Sequence, residues 1–204
     1  MAGRLGKTRV IAVTGTIGSG KSAVLGFFAR AGIPTISADA VAREVVAPQS
    51  MGLAALVDVF GTDILSEDGS LDRGRLARLV FNDDVGRMRL NQVTHPLIRS
   101  RILEMLQEMS DSPVVVVEIP LLDDHTVADY GIDDVLVVRA STERVLQRLV
   151  EDRGMDPSDA VARMRVQVPD AVRDQLARWS VSNDGDLEGL ERQVAGVIEE
   201  IKMH

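Results

Sequence analysis

Eight consecutive residues, Gly15-Thr16-Ile17-Gly18-Ser19-Gly20-Lys21-Ser22, carry the residue types needed to hold a polyphosphate. They fit G-x-x-x-x-G-K-[ST], in which each type has a physical task. Gly15, Gly18 and Gly20 let the backbone turn its N–H groups inward without a Cβ in the way. A helix opening near Gly20 adds unpaired donors and the positive end of its dipole. The Lys21 ammonium can reach the β- and γ-phosphates, and the Ser22 hydroxyl can take a place on Mg²⁺. The bland alternative is a glycine-rich turn between a strand and a helix. Context favours the phosphate cradle, because the apolar run Val10–Val13 precedes the loop and a helical pattern follows from Ala23 to Ala31. The whole cofactor-binding stretch expected from the pattern is therefore Gly15 to Ala23.

Other chemistry-bearing residues are less specific. Asp39 follows Ser37-Ala38 at the end of a candidate second strand. The expected place is the carboxyl edge of a parallel sheet, beside the strand that feeds the loop. A carboxylate there could orient or deprotonate an attacking hydroxyl, or simply cap a helix starting at Ala40. Arg43 stands one helical turn later and can share a face with Asp39; alone, such a residue is more often a solvated surface arginine. Glu118 ends the run Val114–Val117, where an acidic residue can serve Mg²⁺ through water or face solvent. His95 lies in a helical stretch, as structural histidines commonly do. Arg148 and Arg153 follow a third strand–helix unit, where an arginine could close over transferring phosphates. Arginine is abundant here, with Lys7, Lys21 and Lys202 the only lysines, so no single arginine stands out.

The elements that position these groups show a doubly wound α/β rhythm. Compact apolar runs at Val10–Val13, Val114–Val117 and Val135–Val138 read as buried parallel strands. Ile33–Ile36 is a fourth candidate, with Pro34 suited to a strand start or an edge. A short strand at Trp179–Val181 and a helix from about Leu187 to Lys202 close the pattern. Between Asp39 and Ser112 the periodicity is helical throughout, including Leu71-Leu76-Leu79-Val80 and a long stretch from Met88 to Leu106 that Pro96 should start or kink. So much helix reads as an acceptor-binding insert, about 39–111. A charged, Arg-rich helical pair at about 153–177, broken at Pro157 and Pro169, reads as an exposed lid. The core is expected at about 8–38, 112–152 and 178–204.

Composition narrows the class. The chain has 204 residues, 45% of them hydrophobic, and a net charge of −8. That acidity argues against nucleic acid as the main partner, though not against a phosphorylated small molecule bound by local donors. With no cysteine, disulfides, thiolate metal sites and cysteine nucleophiles are excluded. His95, His125 and His204 are too scattered for a metal cluster. No apolar stretch has the length of a membrane span, and Met1 to Arg9 reads as a loose polar leader. These features predict a cytoplasmic protein, a monomer or small homo-oligomer, with no membrane partner.

The sequence resembles the dephospho-coenzyme A kinase family from about Val10 to Gly185. The resemblance runs through the loop, Ala38-Asp39-x-x-Ala42-Arg43-Glu44-Val45-Val46, Gly52-Leu53, Phe60-Gly61 and Asp68–Arg73. It continues through Leu79-Val80-Phe81, His95-Pro96-Leu97-Ile98 and Ile119-Pro120-Leu121-Leu122. Gln147-Arg148-Leu149, Arg153-Gly154-Met155, Arg163-Met164 with Gln167, and Asn183 complete it. The resemblance implies a P-loop kinase with a helical coenzyme A-binding region and a lid, using ATP and Mg²⁺ to phosphorylate the ribose 3′-hydroxyl of dephospho-CoA. It implies Lys21 on the phosphates, Ser22 on the metal, Asp39 as base and Arg153 as lid arginine. It also places Asp39, Arg43, His95, Pro120 and Leu121 with the acceptor. Thr16 stands where the family usually has glycine, Ser37 where an acid is frequent, and Arg178 and Ser182 where acids are common. A nucleoside-monophosphate or other small-metabolite kinase remains the competing reading, disfavoured by the long insert. A GTP switch would need Asn-Lys-x-Asp, and no lysine here follows an asparagine. A nucleotide-binding protein without catalysis is a further alternative, for which Asp39 beside Lys21 is unhelpful but not decisive.

Overall fold

Valine- and isoleucine-rich segments, stiff at χ1 and suited to a pleated surface, form one five-stranded sheet. A computed structural model describes residues 8–81, 83–120, 122, 124–165, 167 and 170–203. The strands are β1 (Arg9–Thr14), β2 (Thr35–Ser37), β3 (Val114–Glu118), β4 (Asp134–Arg139) and β5 (Trp179–Ser182). All pairings are parallel, in the order β2-β3-β1-β4-β5. Two registers matter for the site: Val13 lies opposite Glu118, and Ser37 opposite Glu118 from the other side. The order corrects one expectation. β2 does not lie beside the loop-bearing β1, because β3 is inserted between them.

The chain leaves β1 toward β2 and β3 on one side and later returns to β4 and β5 on the other. Such a reversal leaves a crevice at the carboxyl ends of the strands. α1 (Lys21–Arg30) and α10 (Leu187–Met203) cover one face. Val24, Phe27 and Phe28 of α1 and Leu190, Val194, Ile198 and Ile201 of α10 meet Ile11, Val13, Leu136, Val138 and Trp179 of the sheet. The alternate residues Val10, Ala12, Val115, Val117, Val135 and Val137 are buried too, so both faces are covered, as a parallel sheet requires. Arg9, expected in the leader, belongs to β1. Residues 1–7 of that leader lie outside the described residues.

The chain divides into two compact units, residues 1–37 with 106–204, and residues 38–105. The second contains α2 (Ala38–Glu44), α3 (Met51–Phe60), α4 (Arg73–Val80) and most of α5 (Asp84–Glu108). Its core is Val46, Leu56, Ile64, Leu76 and Val80. Short polar side chains start its helices. Ser50 Oγ accepts from Leu53 N at 3.1 Å, and Asp72 Oδ1 accepts from Arg75 N at 2.8 Å. The segment is not helical throughout: Leu65 and Leu71 form an antiparallel bridge closed by Ser66 N to Ser70 O, 2.8 Å. Leu71 thus precedes α4 rather than lying in it. α5 runs unbroken through Pro96, so this proline neither starts nor ends the helix.

The first unit also carries α6 (Asp124–Tyr130), α7 (Thr142–Gln147), a π-helical turn at Arg148–Asp152, α8 (Pro157–Arg165) and α9 (Asp170–Leu176). Pro157 opens α8 rather than breaking it, since a first helical residue needs no N–H. Pro169 lies outside the described residues. The last two helices are not uniformly exposed. Arg173 is buried, Asp174 pairs with Arg139 of β4, and Ala160 joins a cluster with Val145 and Leu149. Among the described residues no helix is long and apolar enough to cross a membrane.

Candidate active site

Gly15 to Gly20 form the loop between β1 and α1, and the geometry explains its glycines. Gly20 has φ 100° and ψ 22°, a left-handed conformation that costs other residues energy. A Cβ on Gly20 would lie 2.0 Å from Asn183 Nδ2, and one on Gly15 2.3 Å from Val138 O of β4. The loop is therefore pressed against the end of β4 and the segment after β5. Internally, Ser19 N donates to Thr16 O at 3.1 Å. Lys21 is buried, and its Nζ donates to Gly15 O and Thr16 O, both at 3.0 Å. Its charge is thereby held at the mouth-forming residues of the loop. Ser22 is exposed in the first turn of α1, and Ala23 packs partly against the core.

Neighbouring segments tie into the loop. Ile17 N donates to Gln167 Oε1 at 3.2 Å, and the Ile17 side chain packs against the cluster of Val145, Leu149 and Ala160. Thr14 Oγ1 and Ser19 Oγ are buried without a hydrogen-bond partner among the described residues. Glu118 is only 2% exposed at the end of β3, not facing solvent, and accepts a hydrogen bond from Ser37 Oγ at 2.9 Å. Ser37, which stands where the family often has an acid, thus orients the one carboxylate of this strand pair.

The residues picked from sequence fall into both units. In the first unit Gly15 to Ala23 are brought together, with Arg148 beside them: its Nη1 donates to Gly18 O at 3.4 Å. Arg153 follows the π-helical turn and is exposed. Pro120 is half-buried just past β3, and Leu121 lies outside the described residues. In the second unit Asp39 is exposed in the first turn of α2, and Arg43 is exposed in its last turn. Because α2 starts at Ala38 rather than Ala40, Asp39 is inside the helix and not its cap. There its charge still favours the helix N-terminus. His95 is exposed on α5, just before Pro96. This unit also contains a cavity of about 320 Å³ with apolar walls including Val46, Leu56, Leu76 and Leu90, and polar side chains of Arg73 and Asn91.

Sequence reasoning missed the contact of Asn183 with the loop. Asn183 is 6% exposed, and its Nδ2 donates to Ser19 O at 2.7 Å across 164 residues of sequence. No local pattern signals such a pairing. The adjacent Asp184 has its carboxyl held below the usual carboxylate range, first by Ser141 N–H at 2.6 Å, then by the hydroxyls of Ser141 and Ser182 and the Arg148 charge. No group of three or more His, Cys, Asp or Glu side chains suited to a metal ion occurs among the described residues.

Comparison with known proteins agrees with this architecture. Residues 9–189 match the family model described as dephospho-CoA kinase. A protein of Streptomyces avermitilis named dephospho-CoA kinase is 44% identical over 92% of this chain and 91% of its own length. One of that name from Mycolicibacterium paratuberculosis is 45% identical over 86% of this chain, which spans only 43% of that longer protein. The crystal structure of TT1252 from Thermus thermophilus superposes with a TM-score of 0.79 at 33% identity, covering 95% of this chain and 97% of that one. The loop, the parallel sheet behind it and these likenesses agree that the chain belongs to the dephospho-CoA kinase family.

Proposed function

We propose that the chain transfers the γ-phosphoryl group of ATP to the ribose 3′-hydroxyl of dephospho-CoA, giving coenzyme A and ADP. The observation that carries this reading is the P-loop in a chain whose likeness to the family spans both units. A new bond forms between the 3′-oxygen and the γ-phosphorus, and the β–γ bridging oxygen departs with its electron pair on ADP. The hydroxyl proton passes to the Asp39 carboxylate, which also holds the nucleophile in line. Lys21 releases its loop carbonyls to meet the β- and γ-phosphates, where its charge offsets the charge that spreads as the bond breaks. Arg153, at the start of the lid of 153–177, supplies a planar guanidinium as that segment closes.

The residues fit Mg²⁺ as well as nucleotide. Gly15 and Gly20 let the loop close against Val138 O and Asn183, where a Cβ would clash, Ser22 offers an exposed hydroxyl in the first helical turn, and Glu118 presents a fixed carboxylate through Ser37. Ser22 would hold the ion directly and Glu118 through water. When bound, Mg²⁺ neutralises charge on the phosphate oxygens. The helical unit, with Arg43 and His95 exposed, receives the acceptor, and the family resemblance adds Pro120 and Leu121 to the residues that bind it. The apolar cavity with its Arg73 and Asn91 has the chemistry of a site for a small organic group. The chain acts in the cytoplasm as a monomer or small homo-oligomer, without nucleic acid or membrane.

A coupled assay of ADP release tests the reading with dephospho-CoA, AMP, adenosine and pantetheine phosphates as rival acceptors. Release strongly preferred with dephospho-CoA supports it. Equal or better turnover with AMP or another small acceptor would assign the chain to the alternative, a different P-loop metabolite kinase.

A further inference from the structure

The phosphate-binding loop is held from outside by two side chains that the reaction itself does not use. Asn183 Nδ2 donates to Ser19 O at 2.7 Å. Arg148 Nη2 donates to Asn183 O at 2.8 Å and to Asn183 Oδ1 at 3.1 Å. Its Nη1 donates to Gly18 O at 3.4 Å. The backbone N of Asn183 is itself fixed by Arg139 O of β4 at 2.8 Å. These partners leave the amide one orientation. Arginine can only donate, so Oδ1 must face Arg148, and a carbonyl can only accept, so Nδ2 must face Ser19.

A trans peptide points its C=O and the next N–H in opposite directions. Holding Ser19 O against Asn183 therefore aims the Gly20 N–H away from Asn183, to the side on which a phosphate is met. The bond from Arg148 to Gly18 O does the same for the Ser19 N–H, which already points inward at Thr16 O. Gly20 makes this control necessary. Glycine populates both signs of φ, so the Ser19–Gly20 peptide can turn over and present its carbonyl oxygen to the phosphates. The same asparagine lies 2.0 Å from where a Gly20 Cβ would be, so the glycine is required both for its conformation and for Asn183's approach.

We propose that Asn183, oriented by Arg148, is a positioning residue of the nucleotide site that locks the Ser19–Gly20 peptide with its N–H toward the phosphates. The inference rests on the nucleotide-binding part of the proposed function. Its natural probe is Asn183→Asp, which keeps the size and the acceptor for Arg148 but removes the donor to Ser19 O. Calorimetric binding of ADP and of adenosine separates a phosphate effect from a base effect. ADP affinity should fall at least about tenfold, the usual weight of a buried hydrogen bond whose acceptor is left unpaired, while adenosine binding stays unchanged. In turnover, KM for ATP should rise with KM for the acceptor unaltered, which a general loss of structure would not produce.

Arg148→Lys keeps a charge but loses the fork, and should give a smaller loss of the same phosphate-dependent kind. It keeps the test open if the aspartate variant fails to fold. Wild-type ADP affinity in both variants, or equal losses for ADP and adenosine, would overturn the inference. Absence of ADP binding to the unaltered chain would instead overturn the nucleotide-binding reading on which it rests.

Discussion

Each of the two units is held together internally by its own kind of contact. The nucleotide half is tied by polar contacts between residues far apart in sequence. Asn183 reaches Ser19 across 164 residues, Arg148 reaches Gly18 across 130, and Arg9 reaches Asp134 across 125. The helical half relies on near neighbours: Ser50 with Leu53, Asp72 with Arg75, Thr94 with Leu90. Its longer tie, Arg101 to Glu44 at 2.8 Å, is an exposed ion pair of small expected weight. A loop that must present N–H groups to a fixed point needs supports from several strands and helices. A unit proposed to receive a flexible organic acceptor does not. The difference teaches that positioning a phosphate loop and folding a small helical unit draw on contacts of different sequence range.

Four expected outcomes bear on that contrast, beginning with the largest. Lys21→Ala should lower turnover by about 10²–10³-fold or more while circular dichroism shows the fold intact. Near-normal kcat in the folded variant would remove the phosphate loop from the reaction. Asp39→Asn, in the other unit, should lower kcat by at least about a hundredfold with little change in ATP affinity. Asp39 lies inside the first turn of α2, so its purely structural weight is about 0.3–1 kcal/mol. A variant that shifts only the melting temperature would leave it a helix charge, and the base would have to be another residue.

The third outcome concerns stability alone. Asp134 accepts from Arg9 Nε at 2.6 Å and from Arg178 Nη1 at 2.9 Å, and both guanidinium groups lie near Trp179, 5.5 and 4.8 Å from the ring centroid. Burial pushes the Asp134 carboxyl up, but the bonds and charges of the two arginines outweigh it and hold the group below its ordinary 3.8. A carboxyl depressed in the folded state adds stability that is fully present above about 3.8 and is lost as pH falls through the lower folded value. Asp134→Asn should cost about 1.5–3 kcal/mol at neutral pH and flatten the acid limb of the stability profile, with turnover at saturating substrates unchanged. Asp72→Ala in the helical unit should cost only about 1 kcal/mol. A larger loss at Asp72 than at Asp134, measured by denaturant unfolding, would contradict the contrast between nonlocal and local support.

Much of the architecture was legible because it is periodic. Val10–Val13, Val114–Val117 and Val135–Val138 all fall within strands, and Pro34 lies just before the edge strand β2, as its missing N–H suggests. Family membership was legible in phrases such as His95-Pro96 and Pro120-Leu121-Leu122 at their distances from the loop. Strand order was not: nothing local to Val114–Val117 says that it enters between β1 and β2. The bridge of Leu65 with Leu71 escaped because Leu71 reads with Leu76, Leu79 and Val80 as one helical pattern. The start of α2 was misplaced by two residues, which changed Asp39 from a cap to a first-turn residue. At the site, the loop's identity was written in its own residues, whereas its support by Asn183 and the burial of Glu118 against Ser37 depend on pairings made only by folding.

The division of labour between the units is tested most directly by hydrogen exchange with each substrate supplied alone. Dephospho-CoA without nucleotide is expected to protect segments within residues 52–106, and ADP without acceptor to protect Gly15 to Ala23. Protection by dephospho-CoA confined to the phosphate loop, with residues 52–106 unchanged, would contradict acceptor capture by the helical unit.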